Sequence, residues 1–297
     1  MKHWIKAFRL RTLPLALASI GMGTFLAAAS GYFRTDIFVL CALTTIFLQV
    51  LSNLANDYGD SIHGADSSDR EGPSRAVQSG AISAKAMKRA MVIFVVLSLG
   101  SGIALIHRAF GWDMQIFSFF MVLGVLAIIA AVTYTAGYRP YGYAGLGDFS
   151  VLIFFGFVAV LGSAFLFEKS FRWDYVLPAI STGLFSVAVL NVNNIRDIES
   201  DKLAGKLSIP VRLGRTKAVI YHWVILTLGF GASLVYIILN YQSPYQLVML
   251  LALPLFLKNA RAVKVYREAK ALDPFLKQMA LSTLLFVILF GVGQLLV

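Results

Sequence analysis

The chain has 297 residues, of which 58% are hydrophobic and 14% charged, against about 45–50% and about 25% in an average soluble domain. A mean hydropathy of +0.75 excludes a soluble globule; at about 20 apolar residues per crossing, nine crossings would leave no room for a sizeable extramembrane domain. The formal charge of +11 could signal nucleic acid, but at this hydropathy it points to a lipid bilayer as partner, and no nucleic acid.

The chain opens with Lys2, Lys6, Arg9 and Arg11 ahead of an apolar stretch and a small-residue run, Ala27 to Ser30. This loosely imitates a secretory signal, but the stretch is long and many more follow, so it reads as a retained first helix. Apolar segments then fall at roughly 13–33, 36–56, 86–107, 115–137, 147–168, 175–195, 217–239, 244–260 and 276–297. Backbone groups in lipid must be satisfied within the segment, and these runs lack the alternation of a barrel, so all nine read as helices. The fold class is therefore all-α, a polytopic membrane bundle forming one intramembrane domain over residues 1–297. The single cysteine, Cys41, lies in an apolar run, which excludes an internal disulfide and Cys-rich metal sites.

Nine crossings put alternate loops on opposite sides. Of the 26 Lys and Arg, only Arg34, Arg108, Lys169 and Arg172 fall on one side. The basic-side rule places the other side, with the N-terminus and all the longer loops, in the cytoplasm. Most of the individual basic residues are then orientation signals. The two longest polar stretches, 57–85 and 196–216, follow the second and sixth spans, which suggests two four-helix halves plus a ninth helix.

Both stretches begin with an Asn/Asp cluster. Asn53, Asn56, Asp57 and Asp60 are spaced by three and four, so on a helix they share one face; Asn193, Asp197 and Asp201 repeat the step, with Asn194 alongside. Asp66 extends the first cluster into its loop. A chain with only 15 acids has thus concentrated five of them at two equivalent cytoplasmic ends. Ionisable groups near membrane depth are costly, about 2.5–3.5 kcal/mol at a helix centre, and mark function. If the stripes face each other, carboxylates about 5 Å apart repel by roughly 3 kcal/mol per pair, and a bound cation would relieve this. The donors are hard oxygens, which select Mg²⁺ or Ca²⁺; Mg²⁺ is commonly shared between carboxylates and a substrate's phosphates. Asn56, Asp60, Asp66, Asp197 and Asp201 are the expected ligands.

After each stripe, basic groups accompany glycine-bearing turns: Arg70 and Arg75 in the first, Lys202, Lys206 and Arg212 in the second. Such groups meet phosphate oxygens. Neither loop is a P-loop, and with an apolar intramembrane pocket a lipid diphosphate is the better ligand. Acids at cytoplasmic helix ends argue against a cation-coupled transporter, which would carry its polar sites near mid-helix. A CDP-alcohol phosphotransferase is disfavoured because its signature is absent.

At these residues the chain resembles the UbiA superfamily of intramembrane aromatic prenyltransferases. The likeness rests on Arg11-Thr-Leu-Pro14, the Asn53 to Asp60 stretch with Gly64-Ala-Asp66, and Gly72-Pro-Ser-Arg75. It continues in Arg139-Pro-Tyr-Gly-Tyr-Ala-Gly-Leu-Gly147, Asn193-Asn-Ile-Arg-Asp197 with Asp201, and Val211-Arg-Leu-Gly214. The superfamily's third acid would fall at position 64, which is Gly here; the displacement to Asp66 is typical of the naphthoate-prenylating branch.

The resemblance implies nine helices and Mg²⁺-dependent transfer of a polyprenyl group from polyprenyl diphosphate to 1,4-dihydroxy-2-naphthoate. CO₂ and diphosphate would be released and demethylmenaquinone formed, at a bacterial cytoplasmic membrane. It implies catalytic roles for Asp57, Asp60, Asp197 and Asp201, and substrate contacts from Asn53 and Asn193. Tyr134 is the candidate to steady an allylic cation through its ring. Arg11 and Arg139 could hold the acceptor's carboxylate. The nearer alternative is an acceptor such as 4-hydroxybenzoate. His63, beside the acids, reads as a loop histidine.

Overall fold

The computed structural model describes residues 2–63 and 75–297. Among the described residues there is no strand, and nine helices are long and apolar enough to cross a membrane. In chain order these spans are Lys2–Ala29, Thr35–Ile62, Ala84–Phe110, Met114–Thr133, Gly147–Glu168, Trp173–Arg196, Ile209–Leu239, Pro244–Val265 and Ala269–Leu295. The chain is an integral membrane protein, and each expected apolar segment coincides with one span.

Three starts differ from expectation, each for a local reason. The first span begins before position 13 because Lys2–Phe8 is helical and lays Trp4, Ala7 and Phe8 against Val50, Leu54 and Phe94, while Lys2 and Lys6 stay exposed. This is an amphipathic lead-in that a hydropathy window discards for its charges. The seventh span begins at Ile209 because a short helical piece precedes a sharp bend at Gly214, whose φ of 72° and ψ of 160° leave the helical region. The ninth begins at Ala269, with Pro274 inside the helix.

Burial differs widely among the spans. The sixth span is the most buried of the nine. It presents Ala179, Ser181, Thr182, Gly183, Ser186 and Ala188, small residues that let neighbouring helices approach closely. At Gly183 a Cβ would fall 3.0 Å from the Gly156 Cα of the fifth span. Around it Phe185, Phe230, Phe256, Phe286 and Phe290 form the main apolar core. The fourth span, built of Phe, Val, Leu, Ile and Ala, has no buried residue. It packs on the second and third spans and leaves a cavity behind it. Part of the fifth span, Leu152–Leu161, is π-helical, a wide turn characteristic of functional sites, and Phe154, Phe155 and Val158 from it line the same cavity.

Candidate active site

The second span carries its acid stripe to the membrane end, where Asp57 and Asp60 are both buried. They do different work. Asp57 accepts the backbone N–H groups of Ala76 (3.1 Å) and Val77 (3.0 Å), so it fastens the segment returning from the loop. Asp60 accepts Arg75 Nη2 at 2.7 Å and the Tyr143 hydroxyl at 3.0 Å. Upstream, Asn56 Oδ1 accepts the Thr135 hydroxyl at 3.1 Å, and Asn53 donates to the Phe8 carbonyl (2.9 Å) and to Thr12 Oγ1 (3.0 Å). Asn53 therefore anchors the N-terminal turn.

The sixth span supplies the other half. Arg196 is buried and bidentate to Asp197, both N–O distances being 2.7 Å. It also reaches Asp273 of the ninth span at 2.7 Å and Asn193 Oδ1 at 2.9 Å. Asp201 follows on the short helix Ile198–Leu203 and accepts Lys206 Nζ at 3.2 Å, while its second oxygen is buried without a partner. Burial pushes the Asp201 carboxyl up to about 6; Lys206 pulls it down, and Asp197 and Asp60 push it up again. Burial by itself would lower the Lys206 ammonium, but Asp201, Asp60 and Asp197 hold it above its ordinary value. One buried lysine thus feels carboxylates of both stripes.

Part of the carboxylate repulsion is relieved within the chain itself. Among the described residues no three His, Cys, Asp or Glu side chains stand close enough to hold one ion by themselves. Each acid is instead matched to a base: Asp60 to Arg75, Asp197 to Arg196, Asp201 to Lys206. A divalent ion that takes one or two carboxylates and completes its shell on phosphate oxygens still fits this donor set. The donors are hard oxygens, and the orphaned Asp201 oxygen is an open ligand position. Asp60, Asp197 and Asp201 would hold such an ion, with Asn56 an amide oxygen beside them. Asp66 and Arg70 lie outside the described residues.

A cavity of about 430 Å³ runs from this centre into the bundle. Its polar end has Asn53, Asn56, Asp60, Arg75, Asn193 and Lys206 on the wall; its deep end is apolar, among Leu105, Ile106, Phe120 and Leu166. Tyr134 stands at the junction, its ring edge-on to Tyr141 at 5.4 Å. A Cβ at Gly147 would fall 2.8 Å from its hydroxyl, so glycine is needed for that close approach. Burial, and then the Asp148 carboxylate, hold the Tyr134 phenol above its ordinary value, keeping the ring neutral.

Three residues expected to touch substrate stand off the cavity wall. Arg139 is exposed and lies over the Tyr138 ring. Lys202 is exposed on the turn before Lys206. Arg212 donates to the carbonyls of Leu207 (3.0 Å) and Ala144 (2.7 Å), so its guanidinium braces two loops. None of the three lines the cavity. His63 bonds through Nδ1 to the Gly59 carbonyl, as a helix-end histidine does. Spacing alone missed Tyr143 and Asp273, and it credited Arg196 with orientation only. Tyr143 lay within the Arg139 to Gly147 stretch; Asp273 carried no local signal.

Two clusters of Asn and Asp thus meet three basic side chains at the mouth of an apolar, membrane-embedded cavity. The model of the UbiA prenyltransferase family matches residues 15–287. The chain belongs to the UbiA prenyltransferase family. It is accordingly a prenyltransferase, and curated relatives of the family align over nearly its whole length. The 1,4-dihydroxy-2-naphthoate octaprenyltransferase of Haemophilus influenzae is 46% identical, covering 99% of this chain and 96% of that protein. The Escherichia coli protein of the same name is 44% identical, covering 98% and 94%. Among solved UbiA folds, an apo homologue from Aeropyrum pernix superposes with a TM-score of 0.70 at 18% identity, covering 96% of this chain and 97% of its own. A homologue from Archaeoglobus fulgidus bound to GPP and Mg²⁺ gives 0.66 at 16%, covering 98% and 100%.

Proposed function

We propose that this prenyltransferase takes polyprenyl diphosphate as donor and 1,4-dihydroxy-2-naphthoate as acceptor. It releases diphosphate and CO₂ and gives the hydroquinone of demethylmenaquinone. The observation that carries this reading is the joined cavity: a mouth of paired acids and bases for a diphosphate, continuous with an apolar interior for a prenyl chain. The naphthoate relatives at 46% and 44% identity support the acceptor.

Asp60, Asp197 and Asp201 hold Mg²⁺, which when bound supplies charge stabilisation to the departing diphosphate. Arg75 and Lys206, on the cavity wall, carry positive charge where the allylic C–O bond breaks and negative charge collects on the leaving oxygen. The Tyr134 ring offers its face to the allylic cation, an attraction worth about 0.5–2 kcal/mol. The electron-rich naphthoate ring attacks that cation, forming the C–C bond, and its carboxyl leaves as CO₂. Asp57 and Asn53 act by fixing the two segments that frame the site. The mouth faces the bacterial cytoplasm, in line with the basic-residue asymmetry.

Purified protein with Mg²⁺ and a prenyl diphosphate, offered 1,4-dihydroxy-2-naphthoate or 4-hydroxybenzoate, tests the reading. We expect CO₂ release stoichiometric with naphthoate prenylation and no comparable product from 4-hydroxybenzoate. Preference for 4-hydroxybenzoate, or a product that keeps its carboxyl, would move the chain to another branch of the family.

A further inference from the structure

Tyr134 is clasped where it meets the cavity. Its carbonyl accepts the Gly142 N–H at 3.0 Å, and the first turn of the fifth span closes over its hydroxyl. A Cβ at Gly147 would fall 2.8 Å from that oxygen and 3.3 Å from the ring atom Cε2. The next residue of the turn is Asp148, which is only 7% exposed. Its Oδ2 accepts the Tyr221 hydroxyl of the seventh span at 2.8 Å. Among the described residues no Lys or Arg forms an ion pair with it, in contrast to Asp60, Asp197 and Asp201.

Two features favour the ionised form of Asp148. The Tyr221 O–H donates to it, and it lies in the first turn of a long helical span, where the backbone N–H groups and the helix dipole favour an anion. A buried charge without a basic partner is costly, and at membrane depth such a group marks function. Asp148 is absent from the cavity wall, of which Tyr134 is part. After burial, its carboxylate is nevertheless the strongest influence on the Tyr134 phenol, ahead of Asp60 and Asp201. The placement has a chemical consequence. A carboxylate on the wall would capture an allylic cation as an ester, through a new C–O bond. A carboxylate set behind the wall attracts the cation without touching it.

We infer that Asp148 acts through Tyr134: its buried carboxylate, off the cavity wall, deepens the negative potential that the ring presents to the allylic cation. The inference rests on the donor reading above, in which the allylic C–O bond breaks and both its electrons leave on diphosphate. Asp148 exchanges no proton and forms no bond in this step. It is a positioning residue that favours the cation over the intact diphosphate ester, so it acts on the chemical step and not on donor or acceptor affinity.

The test compares two saturated prenyl diphosphate analogues as inhibitors in the presence of Mg²⁺. One has a tertiary ammonium in place of the donor's third carbon, where allylic charge collects, and the other has CH in place of that N–H⁺. We expect the parent protein to bind the ammonium analogue at least about tenfold more tightly, and Asp148→Asn to cut that preference at least about fivefold, the scale that one charge supplies through partly buried protein. Affinity for the uncharged analogue should stay within about twofold of the parent value, and kcat should fall with both KM values little changed, as for an interaction made in the transition state. Asp148→Glu should recover part of the preference. Tyr221→Phe cuts the same tie between the fifth and seventh spans but keeps the carboxylate, so it should keep the preference. Equal weakening of both analogues by Asp148→Asn, an unchanged preference, or a loss in Tyr221→Phe as large as in Asp148→Asn would overturn the inference. So would a parent protein that shows no preference, a result read without any variant. A parent protein that binds neither analogue would instead overturn the donor reading.

Discussion

Asp60 and Asp57 lie one helical turn apart on the same face, yet their partners assign them separate tasks. Asp60 faces the cavity and two side-chain donors, while Asp57 holds two backbone amides. Replacing Asp60, Asp197 or Asp201 by Asn keeps shape and removes charge. Each should lower turnover at least about 100-fold, comparable to deleting one electrostatic stabiliser of a reacting centre, and should raise the Mg²⁺ concentration needed for half-maximal rate. Near-normal rates at subsaturating Mg²⁺ in two of the three would refute their role as ligands. Asp57→Asn should also impair the enzyme, because an amide has one acceptor oxygen for two N–H groups. Its Mg²⁺ half-saturation should stay within about twofold of the parent value, since loop placement and not ion binding is damaged.

At the scale of elements, close helix contacts carry the site as much as its charges do. A Cβ at Gly59 would fall 2.5 Å from the Thr135 backbone, so glycine is what brings the acid-bearing end of the second span against the residue next to Tyr134. Gly59→Ala must push these segments apart, an overpacking cost of about 1–3 kcal/mol. We expect a lower thermal midpoint in detergent together with a large loss of turnover. Gly100, in the third span, has nothing within 4 Å of its Cβ position. Gly100→Ala should leave turnover unchanged and be neutral or stabilising by up to about 1 kcal/mol. Equal behaviour of the two variants would contradict the packing account. The acid stripes, their shared faces and their place at helix ends were legible in the sequence because helical spacing is a local property. Their counterions were not: Arg196 meets Asp273, 77 positions away, and Arg75 meets Asp60 across 15 positions.

For the whole molecule, the basic-residue asymmetry makes a directional prediction. In a Cys41→Ala background, Ser79→Cys should react only with reagent admitted to the cytoplasmic side. Ser170→Cys should react with reagent on the opposite side; both positions are exposed. The reverse pattern would invert the topology and with it the route by which a soluble aromatic acid reaches the mouth.

Sequence by itself determined the number of spans, their all-helical character, the two acid clusters and the family. These follow from hydropathy, from backbone satisfaction in lipid and from three- and four-residue spacing, all of which act over short stretches of chain. Only the tertiary structure decided which helices surround the cavity, which base neutralises which acid, and that Arg212 braces two loops while Arg75 and Lys206 line the cavity. Those outcomes depend on contacts between distant segments. An exposed basic side chain and a buried one look the same in sequence until packing removes water from one of them.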